Sequence, residues 1–135
     1  MKDSLKPGLT HTFTYTVPAE RTVPHLLPES PDFVAMPHVF ATGYMVAVIE
    51  WACIDALREH LDEGEITVGA HVDLSHSAPT VPGSTVTIDL KLVDVEGRIL
   101  TFDVEARDEY AVISEGTHRR GLVNREKFEG RLADR

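Results

Sequence analysis

Between Tyr44 and Leu57 the chain reads Tyr-Met-Val-Ala-Val-Ile-Glu-Trp-Ala-Cys-Ile-Asp-Ala-Leu, and only Glu50 and Asp55 interrupt the apolar run. No proline falls in it and no glycine follows Gly43, so the stretch predicts a helix that opens near Thr42. The helix is expected to stop at Glu63-Gly64, where Gly64 can take the left-handed conformation that ends helices. A helix apolar on nearly every side is expected to be enclosed by protein, and this one is too short and too interrupted to span a bilayer. Beyond Gly64 the apolar spacing changes from helical to two. Four long strands are predicted: Ile66 to Ser77, Ser84 to Val95, Arg98 to Glu109 and Ala111 to Val123. Val86, Ile88, Leu90 and Leu92 alternate on one face of the second, and Leu100, Phe102, Val104 and Ala106 on one face of the third. Their short separators (Pro79 to Gly83, Glu96-Gly97 and the region 108–110) predict an antiparallel meander.

Ahead of the helix, Thr10 to Val17 alternates and is rich in β-formers, which predicts a strand with Phe13, Tyr15 and Val17 on one face. Pro18 to Ala41 then holds five of the eight prolines, a density that argues against a regular helix or central strand. A loop of that length is usually functional, and we read 18–41 as a lid; the plainer alternative is a rigid connection that covers core. The tail, Arg125 to Leu132, reads as a short polar helix. A strand, a long loop, one buried helix and four antiparallel strands fit a single sheet curled around that helix. The expected fold is therefore α+β, a hot-dog fold, forming one domain over 1–135 with its central helix at 42–63. A sheet wrapped on one helix leaves edge strands and apolar surface, so a homodimer with a continuous sheet is expected.

Composition narrows the partners. A formal net charge of -9 argues against nucleic acid or an anionic membrane as the ligand. The one cysteine, Cys53, excludes an internal disulfide framework, suits a reducing cytosol, and reads as a packed, inert thiol. Met1 to Leu9 lacks the apolar core of a signal peptide, so a cytoplasmic location is expected.

Glu50 is the residue that most needs a reason, because an unpaired carboxylate inside an apolar helix costs several kcal/mol. Either a structural partner such as an arginine satisfies it, or it is a catalytic carboxylate on a pocket floor. Thr42 reads as a plain N-cap or as part of a site at the helix start, where free N–H groups and the positive dipole end collect. Gly43 beside it would let a substrate carbonyl approach those N–H groups, forming an oxyanion site. Eight positions separate Thr42 from Glu50, which is ~12 Å along a helix axis, so one carbonyl cannot touch both. If both serve one reaction, they are expected to come from two subunits with antiparallel helices. His76 ends a strand whose even positions, Val68, Ala70, Val72 and Leu74, are read as core-facing; it is a rim residue or a proton relay at a pocket mouth. His71 and Asp73 fall on the other phase, and no metal-ligand spacing appears, so no metal is expected. His118, Arg119, Arg120, Arg125 and Lys127 form one basic cluster, either a solvated face or a seat for a phosphorylated ligand.

The run Ala41-Thr42-Gly43-Tyr44-Met45-Val46 leading to Glu50-Trp51-Ala52-Cys53 resembles the central helix of the fluoroacetyl-CoA thioesterase family. So do Thr22-Val23 through His25-Leu26 to Pro28-Glu29-Ser30-Pro31, Val95-Glu96-Gly97-Arg98, and Gly116-Thr117-His118 followed by Glu126-Lys127-Phe128. The resemblance covers nearly the whole chain. It implies a dimeric hot-dog thioesterase that hydrolyses an acyl-CoA without metal or cofactor, coenzyme A being part of the substrate. It places the family's catalytic threonine, glutamate and histidine on Thr42, Glu50 and His76, an acyl-site glycine on Gly69 and an arginine near the CoA and acyl group on Arg120. It also implies a detoxifying role and a lid carrying Val23, Leu26 and Phe33. Met36 stands where a second phenylalanine is expected. That aromatic pair is tied to selecting the fluorinated acyl group, so a flexible Met36 points to a broader short-acyl-CoA range. Two readings from other classes compete: a hot-dog hydratase, which would need a His and Asp pair near the helix start, where His38 and Asp32 sit in the loop without that motif, and an acyl-CoA-binding module in which Glu50 is structural.

Overall fold

The structure, a computed structural model, describes all 135 residues. Strand β1 spans Thr10–Thr16, and the proline-rich segment that follows holds a 3-10 turn at Ala19–Arg21 and two single-turn helices, α1 (Val23–Leu26) and α2 (Pro31–Val34). The proline-rich stretch was expected to lack helix. Pro24 and Pro31 instead occupy the first turn of each short helix, where a missing N–H costs nothing and the fixed φ suits the helix. The base of the segment is pinned: Thr22 and Phe40 form a bridge and both are buried.

Helix α3 runs Thr42–Leu57 and tightens into a 3-10 turn at Arg58–His60. It ends earlier than the expected 63, because Arg58 N–H bonds the Asp55 carbonyl three residues back and the chain turns extended at Leu61. Gly64 (φ 82°) shapes the tight turn into the next strand instead of capping the helix. The helix buries Met45, Val48, Ile49, Ala52, Cys53, Ala56 and Leu57, a stripe of helical period. The chain does not enclose the other side: Ala47, Trp51 and Ile54 are exposed. Trp51 still packs at its edge against Phe13 of β1, with ring centroids 4.9 Å apart.

Strands β2 (Glu65–Leu74), β3 (Thr85–Glu96), β4 (Ile99–Arg107) and β5 (Val112–Asn124) follow, and α4 (Arg125–Ala133) closes the chain where a polar helix was expected. All pairings are antiparallel, in the order β1-β3-β4-β5-β2. The meander thus holds for β3, β4 and β5 only. Segment 75–84 runs along β5 at its start, where Ser77 N–H bonds the Ile113 carbonyl at 2.8 Å. It runs along β1 at its end, where Gly83 N–H bonds the Val17 carbonyl at 2.8 Å. It therefore carries the chain from one sheet edge to the other, and β1 takes the place beside β3 that the spacing alone assigned to β2.

Val86, Ile88, Leu90 and Leu92 of β3 and Leu100, Phe102, Val104 and Ala106 of β4 are buried against the helix, as their alternation predicts. Burial of each larger side chain contributes roughly 1.5–3 kcal/mol. One sheet wraps one helix, and the architecture is the hot-dog fold. Strand β2 lies at a free edge with Gly69 to Asp73 exposed, and Val72 keeps 47% of its surface in solvent. Its register with β5 needs a glycine at 116, where φ is 148° and a Cβ would collide with the Asp73 carbonyl. No helix is long and apolar enough to cross a membrane.

Candidate active site

Two clusters of polar side chains meet α3, one at its start and one at its middle. At the start, the N-cap is Ala41, and Thr42 is the first helical residue. Its hydroxyl does not cap the helix but lies 2.7 Å from Nδ1 of His76, just beyond the end of β2. The other ring nitrogen of His76, Nε2, is buried with no partner. Burial pushes the His76 imidazole below its ordinary pKa, which favours the neutral ring. Val23, Val39, Phe40, Thr42, His76, Ser77, Ala78 and Pro79 line a cleft of about 290 Å³ here.

Two turns further along, Glu50 projects toward β2 and β5. Its side chain is 35% exposed, less buried than the apolar run implied. Oε2 accepts an N–H from Arg120 at 2.9 Å. Arg120, only 3% exposed at its side chain, also donates from Nε to Thr67 Oγ1 (2.8 Å) and from its second amino group to the Thr67 carbonyl (2.9 Å). Gly69 lies opposite Arg120 in the β2–β5 ladder, so both face the helix. A Cβ at Gly69 would stand 2.7 Å from Glu50 Oε2. The absent side chain is what lets the carboxylate reach the guanidinium.

A β-bulge explains how Gly69 and His76 both face the helix although one position is odd and the other even. Gly69 pairs with Arg120 and His71 with Arg119, so Ala70 is an extra residue that reverses the alternation. Val68 and Ala70, expected on the core phase, face the other way. Thr67 and Gly69 face inward before the bulge, and Val72 and Leu74 after it, opposite His118 and Gly116 of β5.

The basic cluster of the sequence does not form one patch. His118 and Arg120 are buried on the helix side, Arg119 is exposed on the opposite phase of β5, and Arg125 and Lys127 are exposed on α4. Four of the five N–H hydrogens of Arg120 bond Thr67, Glu50 and His118 inside the fold, so its guanidinium supports the Glu50 carboxylate. No group of three or more His, Cys, Asp or Glu side chains is placed to hold a metal. Asp32 and His38 do not meet at the helix start: both are exposed in the segment 18–41, and His38 packs beside His25, with centroids 6.2 Å apart. Burial pushes the Cys53 thiol up to about 12, which keeps it protonated and unreactive.

A family model described as fluoroacetyl-CoA-specific thioesterase matches residues 19–126, a span that holds both clusters. The chain belongs to the fluoroacetyl-CoA-specific thioesterase family. A fluoroacetyl-CoA thioesterase of Streptantibioticus cattleyicolor is 44% identical to it over 98% of this chain and 95% of that protein. A solved structure of a fluoroacetyl-CoA thioesterase superposes with a TM-score of 0.96 at 42% identity, covering 98% of each chain. A hot-dog-like protein from Thermanaerovibrio acidaminovorans shares the fold, with a TM-score of 0.80 at 22% identity over 95% of this chain and 90% of its own.

Of the lid residues that the family resemblance singles out, Val23 lines the cleft and Leu26 covers Gly43, its Cδ2 being 3.0 Å from where a Cβ would sit. Phe33 is half-buried on α2, and Met36 is 50% exposed beyond it, away from the cleft lining. The sequence missed His118 as a partner of the site, since it read that residue only as part of a basic run.

Gly69 makes a clean test of the Glu50 arrangement. The φ there is unexceptional, and the clash in Gly69→Ala falls on the end of a flexible side chain, so the fold is expected to persist. The Glu50 carboxylate must swing off Arg120, and a misplacement of about 1 Å is expected to lower kcat on the order of 100-fold. A circular-dichroism melt together with thiol-release kinetics checks both halves. A stable Gly69→Ala protein with unchanged kcat would count against this geometry.

Proposed function

We propose that the protein hydrolyses a short-chain acyl-CoA thioester, fluoroacetyl-CoA or a similar small acyl-CoA, to the free acid and CoA. The observation that carries this reading is the Glu50 carboxylate, held by Arg120 through a gap that Gly69 leaves open. An ion pair with one oxygen fixed and a third of the side chain open to solvent suits a carboxylate that must act on an incoming group. In this reading Glu50 attacks the thioester carbonyl or activates water to do so. Attack by Glu50 releases the CoA thiolate and leaves a mixed anhydride, which water hydrolyses to the acid and free Glu50. Thr42 positions the reacting groups, and His76 assists proton transfer to the departing thiol. The free N–H groups of the first turn of α3, Gly43 among them, face the developing oxyanion. Water and the substrate supply every atom of the products, coenzyme A being part of the substrate.

A homodimer completes the site. The free edge of β2, exposed Val72 and the uncovered Ala47 and Ile54 side of α3 together form an unpaired sheet edge beside an apolar helix face. Antiparallel pairing of β2 across a two-fold would bring the Thr42–His76 end of one subunit toward the Glu50 region of the other. Segment 18–41 acts as the lid, hinged on its pinned Thr22–Phe40 base. The cytoplasm is the proposed location.

The test is thiol release from a panel of short acyl-CoAs, with fluoroacetyl-CoA compared to acetyl-CoA by kcat/KM. Hydrolysis of both is expected. Met36, unbranched and exposed at the lid tip, favours a smaller preference for the fluorinated acyl group than an aromatic residue there would give. A preference of several orders of magnitude would instead assign a detoxifying enzyme in which Met36 suffices. No release from any thioester would refute thioesterase activity and leave an acyl-CoA-binding module.

A further inference from the structure

Behind Glu50 and Arg120 lies a third residue, His118, that never reaches the cleft. Its side chain is fully buried on β5. Nδ1 lies 2.8 Å from the His71 carbonyl, and Nε2 lies 3.1 Å from the Arg120 nitrogen that bonds Glu50. A carbonyl can only accept and a guanidinium can only donate, so the two neighbours leave one tautomer: Nδ1 carries the hydrogen and Nε2 offers its lone pair. The carbonyl in question belongs to the bulge, where the extra residue Ala70 interrupts the β2–β5 register just before His71. The Arg120 nitrogen has two hydrogens, and Glu50 and His118 take one each.

We infer that His118 is a positioning residue for Glu50, holding Arg120 from behind so that the same nitrogen presents its other N–H to the carboxylate. The inference rests on the proposed role of Glu50. The bulge, the imidazole, the guanidinium and the carboxylate form one chain of hydrogen bonds in which every link has a single donor direction. Such a chain removes alternatives: Arg120 cannot rotate toward solvent without abandoning His118 and Thr67 together. Besides Arg120 and Glu50, the titratable group that acts on His118 is His71 on β2. Burial, the largest influence on His118, pushes its pKa below the ordinary imidazole range, in keeping with a neutral ring beside a cation.

Two measurements test this. In histidine labelled with nitrogen-15, the long-range proton–nitrogen spectrum of the wild-type protein at neutral pH is expected to show His118 as the Nδ1–H tautomer. An Nε2–H tautomer, or a doubly protonated ring at that pH, would overturn the inference whatever any variant does. The second measurement compares His118→Phe, which keeps an aromatic ring without acceptor or donor, with His118→Gln, which keeps one of each. His118→Phe is expected to lower kcat about 10- to 100-fold with KM nearly unchanged, and His118→Gln to recover part of the loss. Glu50→Gln, assayed alongside, separates the two levels. Loss of kcat in Glu50→Gln but not in a folded His118→Phe overturns the positioning role alone. Full kcat in both overturns the reading of Glu50 itself.

Discussion

Glu50→Gln is expected to lower kcat for thioester hydrolysis by about 10²- to 10⁴-fold, while acyl-CoA still binds. The amide keeps the shape of the carboxylate, and its oxygen can still accept from Arg120, so the substitution removes charge and nucleophilicity with little else. Its stability cost should be small. The Glu50 side chain is 35% exposed and Arg120 keeps its bonds to Thr67 and His118, so screening limits the loss to about 1 kcal/mol. A structural glutamate predicts the reverse pattern, with a lowered melting temperature and turnover that survives in whatever protein remains folded. Thiol release, a thermal melt and a calorimetric titration with a non-hydrolysable acyl-CoA analogue separate the two. Turnover within a few-fold of wild type would exclude Glu50 as nucleophile or base and send attention to the Thr42–His76 pair.

Much of this arrangement was legible in the sequence, and the exceptions have identifiable causes. The core faces of β3 and β4 followed from strict alternation, because a sheet buried on one face leaves that period visible. The helix start and the oddity of Glu50 were equally plain, since a lone charge in an apolar run stands out. Strand order was not, because nothing in the segment 75–84 records that it crosses to β1; the hydrogen bonds at its two ends do that. The phase of β2 was misread for a related reason. Ala70 is an ordinary strand residue, and only the pairing with β5 reveals it as the extra one. His118 was hidden by its neighbours: between Thr117 and Arg119-Arg120 it looks like part of a basic surface run, whereas strand alternation sends it and Arg120 inward. The only polar signal was the pairing of an inward His with an inward Arg two positions on, a costly combination unless something acidic meets it.

The separation of the two clusters leads to the second large expected effect. Thr42 and Glu50 share one helix, eight positions apart, so ~12 Å of axial rise and a rotation of ~80° divide them. His76 lies with Thr42, and Gly69 and Arg120 lie with Glu50, so each partner widens the division instead of bridging it. If one site takes Thr42 and His76 from one subunit and Glu50 from the other, two inactive proteins can repair each other. Thr42→Ala and Glu50→Gln, each nearly inactive alone, are expected to regain activity when co-expressed. A heterodimer of the two has one site with both defects and one site with neither. Random pairing makes half of the dimers mixed, so about a quarter of wild-type activity should return, and about half in purified heterodimers carrying two different tags. If all three groups act within one subunit, every site in the heterodimer carries one defect and nothing returns. The outcome is therefore close to all or none. Recovery would place the reacting carbonyl between two subunits, which explains why one chain leaves His76 Nε2 unpartnered, one side of α3 uncovered and the edge of β2 unpaired. Absence of recovery would require the lid and substrate to draw Thr42 and Glu50 of a single helix onto one thioester, a span that the helix geometry opposes.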